Sequence, residues 1–195
     1  DLGIVPDRPD ALKAAIEQAI SCADLVISSG GVSVGDYDYV DRILSELGAE
    51  LHVRSVAVKP GKPLTVATFA ADEHAVLYFG LPGNPVSALV SFWRFVEPAL
   101  RKLSGLPDGW RPLFVQGRTR QELRSDGKRE SYLWGHVRLV AGEYEFELAG
   151  GSHSSGNLIN LAATNGLAVV PIDRTQIAAG DRVILMLVGR AKSPS

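Results

Sequence analysis

The chain is nearly without sulfur: among 195 residues it has one cysteine, Cys22, and one methionine, Met186. A single cysteine excludes an internal disulfide framework and suits a reducing compartment. Long apolar runs are missing as well. None approaches the ~20 residues that a helix needs to span a bilayer. An excess of one charge sign is also absent. Twenty Lys and Arg stand against 22 Asp and Glu, leaving a net charge of −2. The surface as a whole is therefore not built for nucleic acid, although a local basic patch remains compatible with it. The metal and nucleophile signatures CxxC and HExxH and the Walker lysine pattern do not occur, and no Ser-His-Asp order is defensible as a triad. There are no repeats and no low-complexity tract. These absences lead to the expectation of a cytoplasmic protein with neither a membrane nor a nucleic-acid partner. The chain begins at Asp1 and enters a helical pattern almost at once. That start leads to the expectation of a fragment lacking an N-terminal part.

What is present is enough to fold. Apolar residues make up 46% and charged residues 22%, which suits one large domain or two small ones. Leu12, Ala15, Ile16, Ala19 and Ile20 recur at helical spacing between Asp7 and Ala23. Leu25 to Ser28 is a short continuous apolar run, expected as a strand buried on both faces. Tyr39 to Leu47 is helical, with Val40, Ile43, Leu44 and Leu47 on one side and Gly48 as its stop. Leu51 to Val58, Leu64 to Thr68 and Ala75 to Phe79 read as strands, with a turn at Asp72-Glu73. A helix is expected from Pro85 to about Leu103, capped by Asn84, with Phe92, Phe95, Val96 and Leu100 buried. Pro98 predicts a kink or break in it.

Composition changes at Gly105 to Pro112, which reads as a linker. Beyond it, short strands are expected at Leu113 to Thr119, Tyr132 to Val140, Tyr144 to Leu148, Gly166 to Pro171 and Arg182 to Leu187. Turns separate them at Asp126-Gly127, Ala141-Gly142-Glu143 and Ala179-Gly180-Asp181. A helical turn is expected from Asn157 to Ala163. The domain limits expected are therefore 1–107, an α/β domain, and 108–195, a small β domain built as a barrel or sandwich.

Two glycine-proline turns, each after an apolar strand and before a helix, carry the functional signal. The first runs through Gly30, Gly31, Ser33 and Gly35, and the second through Pro82, Gly83, Asn84 and Pro85. A strand, a tight turn and a helix start are how an α/β sheet builds an anion site. Ser28, Ser29, Ser33 and Ser87 add hydroxyl donors. The competing reading is plain capping, which also covers Asp36; Asp38 can instead hold a divalent cation against a phosphate. Between two strands, Lys59-Pro60-Gly61-Lys62-Pro63 is either a solvated turn or a stiff loop presenting ammonium groups to an oxyanion. Gly150 to Asn157 either cradles an anion or is a flexible loop. His153 within it has no second ligand at metal spacing, and Arg129 beside Glu130 reads as a surface pair.

Four stretches together carry a resemblance: SSGGVSVGDYDYV from Ser28, KPGKPL from Lys59, GLPGNPVSALVSF from Gly80, and GSHSSGNLINLAATNGLAVVP from Gly151. They resemble the C-terminal half of the molybdopterin molybdenumtransferase family, MoeA in bacteria and the gephyrin E domain in eukaryotes. The resemblance implies a three-layer α/β molybdopterin-binding domain, similar to the adenylyltransferase fold, followed by a β-barrel domain. It implies insertion of molybdate into adenylylated molybdopterin (molybdopterin-AMP) with release of AMP. Magnesium, a homodimer and contact with molybdopterin adenylyltransferase are implied with it.

Carried over by position, Asp38, Lys59 and Lys62 are expected as catalytic residues. Gly30, Gly31, Ser33, Gly35, Pro82, Gly83, Asn84, Pro85 and Ser152 are expected to bind the pterin nucleotide. Asp36 and Asp38 are expected to hold the metal. A family arginine falls near Trp134 in this chain. The alternatives are the adenylyltransferase itself, against which the appended β domain and the LPGNP turn argue, and a gephyrin-like peptide-binding scaffold.

Overall fold

The structure, a computed structural model, describes residues 1–31, 39–70, 75–150 and 158–190. The chain forms two compact units. The first comprises Asp1–Val56 and Gly61–Ser91; the second comprises Ala57–Pro60 and Phe92–Ser195. The sequence-derived limit at 107 follows the linker composition. The compact units instead change over between Ser91 and Phe92, and the second also takes four residues from within the α/β half.

The first unit is built on a four-stranded sheet ordered β1-β5-β4-β2, from β1 (Leu25–Ser29), β2 (Glu50–Ser55), β4 (Pro63–Phe69) and β5 (Val76–Leu81). β1 and β5 are parallel; β4 runs antiparallel to β5 and to β2. Helices α1 (Pro9–Ile20) and α2 (Tyr39–Glu46) follow the expected apolar stripes. Ile16, Val40, Ile43 and Leu44 pack with Val26, Ala67, Val76 and Tyr78 on one face of the sheet. Removing a Leu- or Phe-sized side chain from water in such a layer contributes roughly 1.5–3 kcal/mol. Helix α3 (Pro85–Ser91) packs against β5, where Phe79 and Leu81 are buried. Gly48, at φ 83°, ends α2 as its sequence predicts.

Three expectations are corrected in this half. β1 is not buried on both faces: Ile27 is 43% exposed while its neighbour Val26 is buried. β1 lies at the edge of the four-stranded sheet, and α1 and α2 cover only the face that Val26 joins. The run Leu51 to Val58 is not one strand. β2 stops at Ser55, and Val58 and Lys59 form β3, which pairs with a strand of the second unit. The long helix breaks just before Pro98, as that residue predicts, through a π-helical turn at Phe92–Val96, and continues as α4 (Glu97–Leu103), but the buried face expected beyond it is not kept. Leu100 faces out at 38% exposure, whereas Val96 and Pro98 are buried. The Asp72-Glu73 turn lies outside the described residues.

The second unit is a closed five-stranded barrel. β6 (Leu113–Thr119), β8 (Glu130–Val140), β9 (Glu143–Leu148), β10 (Gly166–Val170) and β12 (Arg182–Leu187) pair in the circuit β10-β12-β6-β9-β8-β10. β3 adds to β8 in parallel. The pairs β7 (Leu123–Arg124) and β11 (Gln176–Ile177) were not expected; at two residues each they carry no periodic signal. Val137, Phe146, Ala168, Val170, Val183 and Leu185 fill the interior. The barrel is narrow. A Cβ on Gly117 would stand 2.6 Å from the Tyr144 carbonyl oxygen, and one on Gly135 or Gly166 would overlap its neighbours. The β8–β9 hairpin turns through Ala141 and Gly142, at φ 49° and 87°, the geometry that a two-residue loop requires. Leu158–Leu161 forms the expected helical turn.

Candidate functional site

Parallel pairing of β1 with β5 brings the two glycine-proline turns together. The register ends at Ser29 opposite Leu81, so both strands release their turns at the same sheet edge. The Gly30 amide donates to the Leu81 carbonyl oxygen at 3.1 Å, and Ser29 Oγ donates to the Pro82 carbonyl oxygen at 3.2 Å. The turns approach so closely that a Cβ on Gly83 would lie 3.3 Å from the Gly30 Cα. Gly30 and Gly31 sit at φ 88° and 71°, where a side chain is strained. Gly30 therefore joins the turns, with its own amide engaged. The exposed backbone here belongs to Gly31 and Gly83. Asn84 Oδ1 accepts the Ser87 amide at 3.4 Å, and Pro85 opens α3, so these two residues do cap and start the helix as their types predict.

Two of the hydroxyls expected as donors, those of Ser28 and Ser87, are turned inward. Ser28 Oγ shares a hydrogen bond of 2.6 Å with the buried Tyr78 hydroxyl, and Ser87 is itself buried. The Ser28 bond links β1 to β5, and Ser87 is withdrawn from solvent in α3. Ser33, Gly35, Asp36, Asp38 and Ser152 lie outside the described residues. The first turn of α2 holds an acid that sequence reasoning passed over. Asp41 Oδ1 accepts from the buried Thr65 hydroxyl at 2.9 Å, and its other oxygen lies 3.7 Å from Arg54 Nε. This pins the start of α2 to β4 and β2. A lone Asp within a helical stripe carries no signal that would have revealed it.

The KPGKP loop divides between the two units. Lys62 is exposed, and its carbonyl oxygen accepts the Val56 amide at 3.0 Å in the first unit. Gly61 adopts φ 115°, and a Cβ there would fall 2.7 Å from the buried Ser91 Oγ. Lys59 belongs to β3, opposite Ser131 of β8. Its Nζ donates to Asp126 Oδ2 at 2.9 Å. That bond, then the Lys128 amide and the nearby Arg129 guanidinium, hold the Asp126 carboxyl below the usual carboxylate range. Asp126 was legible only as part of a turn. Trp134 is buried in β8 and paired with Leu167, so no cation occupies that position.

Among the described residues no three His, Cys, Asp or Glu side chains gather to hold a metal ion. Asp36 and Asp38, expected to hold a metal, lie outside those residues. No helix among the described residues is long and apolar enough to cross a membrane.

A four-stranded mixed sheet whose parallel pair ends in two glycine-rich turns, followed by a closed barrel, defines a two-part α/β–β architecture, and comparison with known proteins gives it a family. Residues 1–102 match the model for a probable molybdopterin binding domain, and residues 116–188 match the MoeA C-terminal region (domain IV). The chain belongs to the MoeA family of molybdopterin-binding-domain proteins. It is 62% identical over 184 residues to a molybdopterin molybdenumtransferase from Nostoc sp., covering 94% of this chain and 42% of that protein. It is 33% identical to gephyrin from Dictyostelium discoideum, covering 96% of this chain and 29% of that one. A crystal structure of a MoeA protein of molybdopterin biosynthesis from Pyrococcus matches with a TM-score of 0.75 at 25% identity, over 95% of this chain and 42% of that chain. The chain thus spans less than half the length of these relatives.

Proposed function

We propose that the protein acts in molybdenum cofactor biosynthesis, inserting molybdate into adenylylated molybdopterin with release of AMP. The observation that carries this reading is the junction of the two turns, Gly30 amide to Leu81 carbonyl at 3.1 Å, at the shared edge of two parallel strands. Relatives named molybdopterin molybdenumtransferase support the molybdenum-transfer part of it. A pterin phosphate bridged to AMP needs main-chain donors around its anhydride, and the turns through Gly31 and Gly83 to Pro85 offer backbone for that purpose. Pro82 and Pro85 keep the second turn stiff. Gly35, Ser33 and Ser152 complete the nucleotide's contacts in this proposal.

Lys59 and Lys62 attract the oxyanions and neutralise charge as the phosphoanhydride breaks. Asp38, with Asp36, retains the divalent cation, magnesium in this reading, which when bound polarises the phosphoryl oxygens. The dithiolene that receives the metal is the substrate's own, so a chain with one cysteine suffices. A cytoplasmic homodimer in contact with the adenylyltransferase that supplies the substrate belongs to the same proposal. So does a functional limit near residue 107, which lies between the two matched regions.

The test is release of AMP by the full-length protein given adenylylated molybdopterin, magnesium and molybdate. Asp38→Asn and Lys59→Ala are expected to lose most of it, with stability changed by no more than about 1 kcal/mol. Unchanged release in both variants removes the site assignment. Product formed from ATP and unadenylylated molybdopterin would favour the adenylyltransferase reading.

A further inference from the structure

The geometry points to Asp126, on a turn of the barrel unit, as the positioning residue that aims the Lys59 ammonium at its oxyanion. This inference rests on the reading of Lys59 given above. Nζ and Oδ2 are 2.9 Å apart. Exposed ion pairs as a rule contribute little, because two long side chains must be ordered in water. Here both ends start from fixed backbone. Lys59 is held by β3–β8 pairing, with the Glu130 amide donating to the Ala57 carbonyl oxygen at 2.9 Å.

Asp126 is short, and its other oxygen, Oδ1, accepts the Lys128 amide at 3.0 Å. The turn around it is tied down on three sides. The Gly127 amide donates to Ser125 Oγ at 3.2 Å, Ser125 Oγ bonds the buried Ser131 Oγ at 2.8 Å, and the Gly127 carbonyl oxygen accepts the Asp173 amide at 2.9 Å. Ser131 is also the register partner of Lys59. One strand thus fixes both the lysine and the turn that carries its carboxylate.

An ammonium has three donors. Asp126 takes one and sets the axis, which leaves the other two for an oxyanion. Arg129 Nη2, 3.9 Å from the same carboxylate oxygen, adds a second cation that keeps Asp126 ionised.

The discriminating variant is Asp126→Asn, which keeps the acceptor for the Lys128 amide and removes the charge. Two readouts are taken on the full-length protein. The first is acylation of the Lys59 amine by an N-hydroxysuccinimide ester, read by peptide mass spectrometry without substrate. The second is AMP release as a function of molybdate and of adenylylated molybdopterin. Acylation of Lys59 is expected to rise about threefold as the amine is released. KM for one of the two anions is expected to rise about fivefold with kcat within about twofold, the pattern of lost orientation in the bound state. Asp126→Glu, which keeps the charge, is expected to recover part of the KM. A KM unchanged in Asp126→Asn, whatever the labelling, overturns the inference. Lys59→Ala separates the two levels: full AMP release by that variant removes the functional reading of Lys59. Its loss, together with an unchanged Asp126→Asn, removes only the role of Asp126.

Discussion

Gly61 and Ser91 are packed so closely that a methyl group on the glycine would lie 2.7 Å from the serine hydroxyl oxygen. The same glycine sits at φ 115°, a conformation that L side chains rarely adopt. Both facts act on the loop carrying Lys62. Gly61→Ala is therefore expected to destabilise the protein by about 1–3 kcal/mol through backbone strain and the forced shift of Ser91. Urea midpoints would measure it. Ser91→Gly in the same chain is expected to recover part of the loss, because it removes the contact but not the strain. Recovery of the whole loss would locate the effect in the contact alone.

Asn165 acts inside the barrel unit as a substitute for a strand. Its Oδ1 accepts the Val137 amide at 2.7 Å, and its Nδ2 donates to the carbonyl oxygens of Val137 and Arg190, each at 2.9 Å. The residue is buried, so its loss leaves backbone groups unpaired away from water. Asn165→Ala is expected to cost about 2–4 kcal/mol in chemical denaturation, a few times the worth of one such bond. A loss under about 1 kcal/mol would mean that water replaces the amide.

Tyr132 links the helical segment to the barrel wall. Its hydroxyl accepts from Arg94 Nε at 2.9 Å and donates to Glu130 Oε1 at 2.6 Å. Burial first, then the bond to Glu130, raises its pKa well above the ordinary 10.0. The neutral phenol is thus favoured in the folded state. Its contribution is complete below the unfolded tyrosine's value of about 10 and is lost as pH rises above it. Tyr132→Phe is expected to flatten the alkaline fall of stability while lowering stability at pH 7 by about 1–3 kcal/mol. Denaturation midpoints at pH 7 and above 10 would check both. Identical alkaline slopes in the two proteins would contradict the coupling.

Gly135 lies on the inner side of β8 where Phe146 and the Glu147 carbonyl leave no space for a Cβ. Gly135→Ala is expected to cost about 3 kcal/mol or to prevent the barrel from closing. Near-ultraviolet circular dichroism of the Phe, Tyr and Trp signals would report the loss. A native spectrum with an unchanged melting temperature would show that β8 and β9 can part without cost.

Much of the fold was legible because its signals are local. The stripe around Ile16 and the Val40-Ile43-Leu44 face specify α1 and α2 within one window, and Ala141-Gly142 specifies its hairpin by turn chemistry alone. β6 and β12 have the limits expected from their residues. The errors share one physical origin. Ile27 has the sequence of a doubly buried strand residue, but its exposure depends on what lies beyond the sheet edge. Leu100 follows the periodicity of a straight helix, and the π-helical turn before it rotates that face. β7 and β11 exist only because each supplies the other's hydrogen bonds.

At the candidate site the same division holds. The turns through Gly30 and Pro82 announce themselves, since only glycine and proline suit such backbone. Their meeting at one edge depends on β1 lying beside β5, residues some fifty positions apart. Asp126 had no signal beyond its turn.

The amino-acid order alone specified α1 and α2, most strands, the turns between the barrel strands and the family, since propensity, periodicity and motif spacing act over a few residues. Tertiary structure decided which strand closes the barrel, that Lys59 departs with the barrel while Lys62 stays with the sheet, and which carboxylate the lysine meets. Those outcomes depend on pairings between distant segments, where backbone hydrogen bonds and packing select a partner that no short window encodes.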